Sequence, residues 1–546
     1  MSAAKGSIAT PKQWEVVLPF FVFVLHSLIF RAWIVDDAGI SFAYARNLIH
    51  GYGLVAQRGV EPVEGFSNPL WTFLIAPLFI AELPDPTLYV KVLSIFLILG
   101  TFFLVNRINR SLFGTSWWSR AATVATLMVI SLNTSFVVWT TSGLENPLYA
   151  FLCGLYCLLM VQFATNSARR PGRVAAYAGL TAAGLALTRP DGVVLFAAFP
   201  IVLAICAMKN LPQGRYKGKS LAIFLIAAIL PFGAYAGFRY FYFHDLLPNT
   251  YYAINAQSVW DFLRLKYFYM ATLSLFFRMF MWQGSPIILL FLAGCIRLIF
   301  YRWKTSTVMF LVPCLACTWV LFCLLPWDWM GEYRFATPFF LVFPLMLVAL
   351  LVDELHNSRL SPSVRKGAFL TIVTLCVANS AIVYIPRSSR WLAEEPNIPF
   401  ETVKREFGMQ FNMYADELKI SHASLLCPDV GGTLYVSRLR VYDLGGLCDR
   451  KIAKLINENP SALCNYVFGD LRPTFIHVHN GWSLDSGFFD DPRFKEMYVA
   501  IREYPDVWTD EEGIHSTYQG DYVLKTAVAS EKDLERVKHK VQESSQ

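Results

Sequence analysis

Directly after the first apolar segment stand two adjacent carboxylates, opening the run Asp36-Asp37-Ala38-Gly39-Ile40-Ser41-Phe42-Ala43-Tyr44-Ala45-Arg46-Asn47. An aspartate with an ordinary pKa of about 3.9 is ionised at neutral pH, so it can accept a proton from an attacking hydroxyl or hold a metal ion. Asp at a helix N-cap or first turn also satisfies free backbone N–H groups, so capping is the competing explanation for one of the pair. Neighbouring helical side chains point about 100° apart, which predicts different roles for Asp36 and Asp37. Asp37, Ser41 and Tyr44 fall on one helical face.

Further polar groups follow at the ends of apolar segments. Glu64 and Asn68 lie in Glu61-Pro62-Val63-Glu64-Gly65-Phe66-Ser67-Asn68, and Glu145 closes Ser142-Gly143-Leu144-Glu145. Arg189 and Asp191 sit together in Thr188-Arg189-Pro190-Asp191-Gly192. A salt bridge between them is one reading; the other is a phosphate contact, because a guanidinium binds phosphate with two parallel hydrogen bonds. His244, Asn249 and Tyr251 mix polar and aromatic groups at the start of a long connection. Asp328, Trp329, Tyr333 and Arg334 form the densest cluster of this kind, alongside Glu332. Aromatic faces and amides suit a sugar, and arginines suit the charge of a leaving phosphate. Arg189 and Arg334 are the candidates for the phosphate, and the remaining polar and aromatic groups are candidates for the substrate.

The elements that must position these residues are membrane helices. Hydrophobic residues make up 55% of the 546 and charged ones only 16%, with 44 Phe. Soluble domains carry about 25% charged residues. Segments of about 20 apolar residues, the length that crosses a bilayer, are read near 16–33, 90–107, 119–138, 147–166, 174–188, 192–208, 219–241, 284–301, 306–325, 335–352 and 367–386. The run Pro69–Ile80 is shorter and lacks basic flanks, so it reads as a helix lying at the interface. With eleven spans and the N-terminus inside, short basic loops such as Arg169-Arg170-Pro171-Gly172-Arg173 face the cytoplasm, as the positive-inside rule requires. The 33–89 loop and the other motifs then share the outer side. No small-residue cleavage site follows the first apolar stretch, so a cleaved signal peptide is not expected.

Charge divides the chain. The first 386 residues hold 28 Lys/Arg and 15 Asp/Glu, whereas residues 387–546 hold 19 and 25. The expected organisation is a helical membrane domain over 1–386 and a soluble, extracytoplasmic α/β domain over 387–546. Candidate strands in the latter are Ala423–Leu426, Leu439–Tyr442, Thr474–His479 and Tyr522–Thr526, with helices at Glu401–Leu418 and Asp449–Asn457. Cys427, Cys448 and Cys464 leave room for one disulfide, its pairing open. The Cys314/Cys317 pair lies in an apolar run without partners and reads as packing. No phosphate loop, H-E-x-x-H or G-x-S-x-G appears, and the scattered juxtamembrane basic loops argue against nucleic acid as a partner.

The blocks Asp36-Asp37-Ala38…Tyr44-Ala45-Arg46-Asn47…Gly51-Tyr52-Gly53-Leu54-Val55…Glu64-Gly65-Phe66-Ser67-Asn68-Pro69-Leu70-Trp71 resemble the polyprenyl-phosphate-dependent GT-C glycosyltransferases. Within these, the sequence looks similar to the mycobacterial terminal arabinofuranosyltransferase group and to relatives that arabinosylate type IV pilins. Ser142–Glu145, Thr188–Gly192, Leu247–Tyr251, Asp328–Phe335 and, in the tail, Asp443–Ala453 match further blocks in order, so the resemblance covers about residues 15–480. It implies a polytopic GT-C fold, an aspartate of the first outer loop as the key carboxylate, and arginines holding a lipid phosphate. It further implies transfer of a sugar, D-arabinofuranose first and mannose or another lipid-linked sugar behind it, from a polyprenyl-phosphate donor. The acceptor would be a glycan or a protein such as pilin, on the periplasmic side of a bacterial inner membrane. Membrane lipids surround the protein in this reading. A divalent cation bridging a carboxylate and the phosphate is compatible with it, although no ligand spacing demands one. A flippase for lipid-linked sugars predicts internal repeats and charges at mid-membrane depth, and neither is found. A non-catalytic envelope assembly protein would have no use for the acidic outer motifs.

Overall fold

The computed structural model of the chain describes residues 13–80, 86–165, 170–253, 270, 272–275, 285–325, 330–394, 397–456, 460–510 and 513–544. Helices occupy each of the eleven segments expected to span. Six of them are long and apolar enough to cross a membrane, or seven if one bent pair counts as a single span. Shorter apolar helices, including Trp14–Phe30 and Val308–Leu324, account for part of the difference from eleven.

Burial sorts these helices. Arg334–His356 is 89% buried over its apolar window and runs through the centre of the bundle, whereas Pro212–Phe243 is only 11% buried and Pro362–Ala393 22%. The outward faces of the peripheral helices carry exposed Phe21, Phe96, Ile226, Leu230, Leu375 and Ile382, an apolar surface of the kind that meets a membrane or another protein. The segment expected as one straight span at 119–138 is instead two helices, Trp117–Leu132 and Thr134–Thr140, bent by 73°. Asn133 makes the break: its backbone is extended and its side-chain oxygen accepts the N–H of Phe136 at 2.9 Å, capping the second helix.

Proline sets a second break. Pro190 forces its predecessor into an extended conformation, so the helix Pro171–Thr188 stops and Arg189, at φ −152° and ψ 136°, turns its side chain into the bundle end. The short helix Pro69–Ile75 buries Trp71 and Ile75 and leaves Phe73 and Leu74 exposed, and Phe79 just beyond it packs on Phe42 with ring centroids 5.9 Å apart.

The tail is built on five strands, β1 (Ser424–Cys427), β2 (Arg440–Asp443), β3 (Phe475–Val478), β4 (Tyr498–Asp510) and β5 (Gly513–Leu524), in the order β2-β1-β3-β5-β4. The pairs β1–β2 and β1–β3 are parallel, while β3–β5 and β4–β5 are antiparallel. Side chains alternate across the sheet. Leu425, Cys427, Phe475 and Val523 enter one apolar cluster; Leu426, Ile476 and Tyr522 enter another. The first cluster is shared: Ile40, Ala43, Tyr44, Leu54 and Phe66 of the 33–89 loop pack into it beside tail residues. Three expected strands appear within a residue or so of their bounds; the fourth, Tyr522–Thr526, overlaps only the last three residues of β5, since Lys525–Ala527 is a 3-10 turn, and the edge strand β4 is additional. Cys427, Cys448 and Cys464 are all thiols.

Candidate active site

The two leading carboxylates have separate fates. Asp37 is the N-cap residue of the helix Ala38–Ile49, yet its side chain makes no capping hydrogen bond. Asp36 caps a different helix: its carboxylate accepts the backbone N–H groups of Gly431 at 2.9 Å and Gly432 at 2.7 Å, at the start of Gly431–Val436 in the tail. A side chain at residue 431 would collide with the Asp36 backbone and come within 2.7 Å of Asp36 Oδ1, so glycine is required for this approach. The seam is reinforced by the backbone bridge Val35–Pro399 and by the Phe400 N–H donating to Ile34 O at 2.9 Å. Burial, with the charges of Asp429 and Asp37, pushes the Asp36 carboxyl up, while the two amides pull it back.

Asp37 is half-buried and faces Arg334, with Oδ2 to Nη1 at 4.0 Å. The Arg334 guanidinium lies 4.6 Å from the centroid of the Phe335 ring, and that of Arg189 lies 4.3 Å from the same centroid. Both expected phosphate ligands therefore converge on one aromatic ring near Asp37. Arg189 is also ion-paired, to Glu145 at 2.8 Å and Asp191 at 3.0 Å. Glu145 accepts from the Asn68 amide at 2.8 Å, and Asn68 Oδ1 accepts from Ser41 at 3.1 Å. Thus Ser41, Asn68, Glu145, Asp191 and Arg189 form one network under the helix that begins at Asp37.

The backbone leading to Arg334 is strained. Glu332 and Tyr333 have φ of 42° and 53°, a left-handed pair that non-glycine residues adopt only when held there. The holders are visible. The buried Glu332 carboxylate accepts from Ser135 at 2.9 Å and pairs with Arg387 at 2.6 Å, and its carbonyl accepts from Trp139 Nε1 at 3.0 Å. Tyr333 shares a hydrogen bond with Ser274 at 2.6 Å. Arg387, expected to begin the soluble tail, lies instead within the helix Pro362–Glu394.

Other candidates serve the seam in this structure. Tyr44 is fully buried, donating to Val63 O at 2.5 Å and accepting from Gly65 N–H at 3.1 Å. Glu64 is paired with Arg239 and accepts from Tyr235 at 2.6 Å. Asn249 donates to Gly446 O at 2.7 Å and Leu447 O at 2.9 Å in the tail. His244 and Tyr251 are exposed. Asp328 and Trp329 lie outside the described residues. Sequence reasoning missed Arg239 and Arg387, whose only signal was a charge at the end of an apolar segment. It also missed the tail pair Asp429–His479, 2.5 Å apart beside the Gly431 helix. Among the described residues no three His, Cys, Asp or Glu side chains converge so as to hold a metal ion.

No family model matches the chain. It is 28% identical over 241 residues to the terminal β-(1→2)-arabinofuranosyltransferase of Mycobacterium tuberculosis, a match spanning 42% of this chain but only 36% of that relative. In fold it is similar to ArnT from Cupriavidus metallidurans bound to undecaprenyl phosphate, with a TM-score of 0.59, 9% identity, and coverage of 95% of this chain and all of that one. It is also similar to the Archaeoglobus fulgidus oligosaccharyltransferase solved with Zn and sulfate, with a TM-score of 0.50, 14% identity, and coverage of 91% of this chain and 73% of that one. The chain has the fold of a GT-C-type glycosyltransferase, and the relative it matches in sequence is an arabinofuranosyltransferase.

Proposed function

We propose that this protein transfers a sugar, D-arabinofuranose, from a polyprenyl-phosphate donor to a glycan or protein acceptor on the periplasmic side of a bacterial inner membrane. The observation that carries the reading is the meeting of Asp37 with Arg334 at 4.0 Å, beside a ring flanked by Arg189. Asp37 takes the proton of the acceptor hydroxyl as its oxygen bonds to the anomeric carbon. The bond from that carbon to the phosphate oxygen breaks, and the electron pair leaves on the polyprenyl phosphate. Arg334, with Arg189, meets the charge that develops there. Arg189 must exchange part of its contact with Glu145 or Asp191 for the phosphate, and Arg334 must turn from Asp37. Asp36 is a positioning residue that fixes the loop carrying Asp37.

The eleven-span topology, with the tail outside, and the helix Pro69–Ile75 lying at the membrane surface suit this chemistry. The prenyl chain then stays in lipid, each buried CH₂ worth about 0.8 kcal/mol, while the sugar-phosphate reaches the bundle end. The likeness to an arabinofuranosyltransferase supports the choice of sugar. A divalent cation would add charge at the phosphate, and the described residues present no ready set of ligands for it. The test is turnover of synthetic polyprenyl-phosphoryl arabinofuranose by the purified protein, with the mannose donor alongside. Release of polyprenyl phosphate that disappears in Asp37→Asn supports the assignment; full activity of Asp37→Asn, or no turnover of any lipid-phosphate sugar, overturns it.

A further inference from the structure

A second polar site lies at the other end of the helix that starts beside Asp37. It is a groove of about 860 Å³ between the 33–89 loop and the tail, walled by Arg46, Arg58, Arg438 and Arg440 with His50 and His422 nearby. That volume falls within the range of about 300–1,000 Å³ typical of small-molecule sites. The wall sets four guanidiniums against one carboxylate, Asp416, which is already paired with Arg438 at 2.6 Å. The concentration of positive charge is local, because residues 387–546 as a whole carry more Asp/Glu than Lys/Arg, 25 to 19.

The groove is built rather than incidental. Gln57 fastens its two sides, donating to Leu439 O at 3.0 Å and accepting from Val441 N–H at 3.0 Å. Gly51, Gly53 and Gly59, with φ of 80°, 87° and 74°, shape the loop that presents Arg58. Aromatic faces hold the arginines flat: Arg46 lies 4.5 Å from the Tyr435 centroid, Arg58 4.9 Å from that of Tyr52, and Arg440 5.6 Å from that of Tyr442. Arg46 is committed to the tail backbone, donating to Tyr435 O at 2.6 Å, so Arg58 and Arg440 are the guanidiniums whose planar forks suit a carboxylate or phosphate with paired hydrogen bonds. A smaller cavity of about 400 Å³ shares Arg440 but mixes Lys451 and Lys454 with Glu61, Asp443 and Asp449, so the predominance of positive charge belongs to the larger groove.

We infer that this groove holds an anionic saccharide stretch of the acceptor, bearing carboxylate or phosphate, while another part of that chain presents its hydroxyl to Asp37. The inference rests on the transfer reading above. At 1.5 Å of rise per residue Arg46 lies about 14 Å along the helix from Asp37, a separation that an extended oligosaccharide spans and a single sugar does not.

The test uses the full-length protein in zwitterionic detergent and fluorescein-labelled hexagalacturonate, with neutral maltohexaose, hexa-aspartate and vesicles of anionic phospholipid as comparison ligands. The expected result is saturable binding of hexagalacturonate that weakens with salt. Binding should fall tenfold or more in R58Q/R440Q and severalfold in R58Q alone, a substitution at an exposed side chain. Donor consumption with a neutral acceptor should stay at the wild-type rate in both variants. Equal binding by the variants, no binding by the wild type, hexa-aspartate binding as tightly as the saccharide, or capture of anionic vesicles alone would each overturn the inference. Because binding is read without turnover, failure of the groove and failure of the transferase assignment are separable.

Discussion

Replacing Asp36 and Asp37 separately with asparagine should give two different defects. Asp36 uses both carboxylate oxygens on the amides of Gly431 and Gly432, at 2.9 and 2.7 Å. In Asp36→Asn one oxygen remains, and the new NH₂ group confronts an N–H donor. The loss is one charge-assisted hydrogen bond, about 1.5–3 kcal/mol, together with a buried donor left facing a donor, about 1–3 kcal/mol. Relaxation of the loop recovers part of this, leaving about 2–4 kcal/mol. At about 1.4 kcal/mol per factor of ten, opening of the seam becomes roughly thirty- to several-hundredfold more frequent. Hydrogen exchange of the amides over 397–436 reads this directly. Asp37→Asn leaves that exchange unchanged, because the Gly431 and Gly432 amides rest on Asp36, and lowers donor turnover by about 10²–10⁴, the value of a positioned base. The reasoning fails if Asp36→Asn leaves exchange at the wild-type rate while abolishing turnover, because Asp36 would then be the base and its amide contacts incidental.

Three further outcomes are expected. Gly431→Ala forces a methyl group against Asp36 and should destabilise the seam by about 1–3 kcal/mol, seen as proteolytic release of the tail at temperatures the wild type survives. Glu332→Gln leaves Arg387 without its carboxylate and relaxes the left-handed turn before Arg334; breaking such a buried pair costs about 3–5 kcal/mol, and kcat/KM for the donor should fall while Arg387→Lys retains part of it. Asp443 is pushed up to about 7 by burial, against the amides of Cys448, Gly445 and Gly446. Its folded-state pKa is thus above the unfolded one. The stability it contributes is full below about pH 4 and lost as pH rises to 7, up to about 4 kcal/mol. The difference in melting temperature between wild type and Asp443→Asn should therefore change steadily across that window, and a constant difference would refute it.

Much of the architecture was legible because it follows from apolar runs. A stretch of apolar residues long enough to span has few alternatives to a helix, so each of the eleven expected segments is helical. Strands β2, β3 and β5 contain β-branched and aromatic residues, and β1 carries the apolar pair Leu425-Leu426. Strand β4 was missed because Arg502, Glu503, Pro505 and Asp506 interrupt its pattern, which an edge strand tolerates and a central one would not. The site was legible by residue type and not by partnership. Asp36-Asp37 and the arginines stand out because they are the residue types that proton transfer and phosphate binding would use. Nothing near Asp36 in sequence indicates that its amide donors come from Gly431 and Gly432. The ion pair Glu332–Arg387 joins one connection to a position read as the start of the tail, so its signal was one of distance in space.

The backbone bridge between Val35 and Pro399 also sets a timetable. The first outer loop is synthesised well before the segment that completes it. At about 5–20 residues per second the ribosome needs roughly 20–70 s to cover that gap. Until then Asp36 has no amides to cap, and the face carrying Ile40, Ala43 and Phe66 has no apolar partner from the tail. Competence for chemistry therefore arrives only when nearly the whole polypeptide has emerged. A nascent chain stalled or cut anywhere in the helical part would insert without becoming an unguarded enzyme.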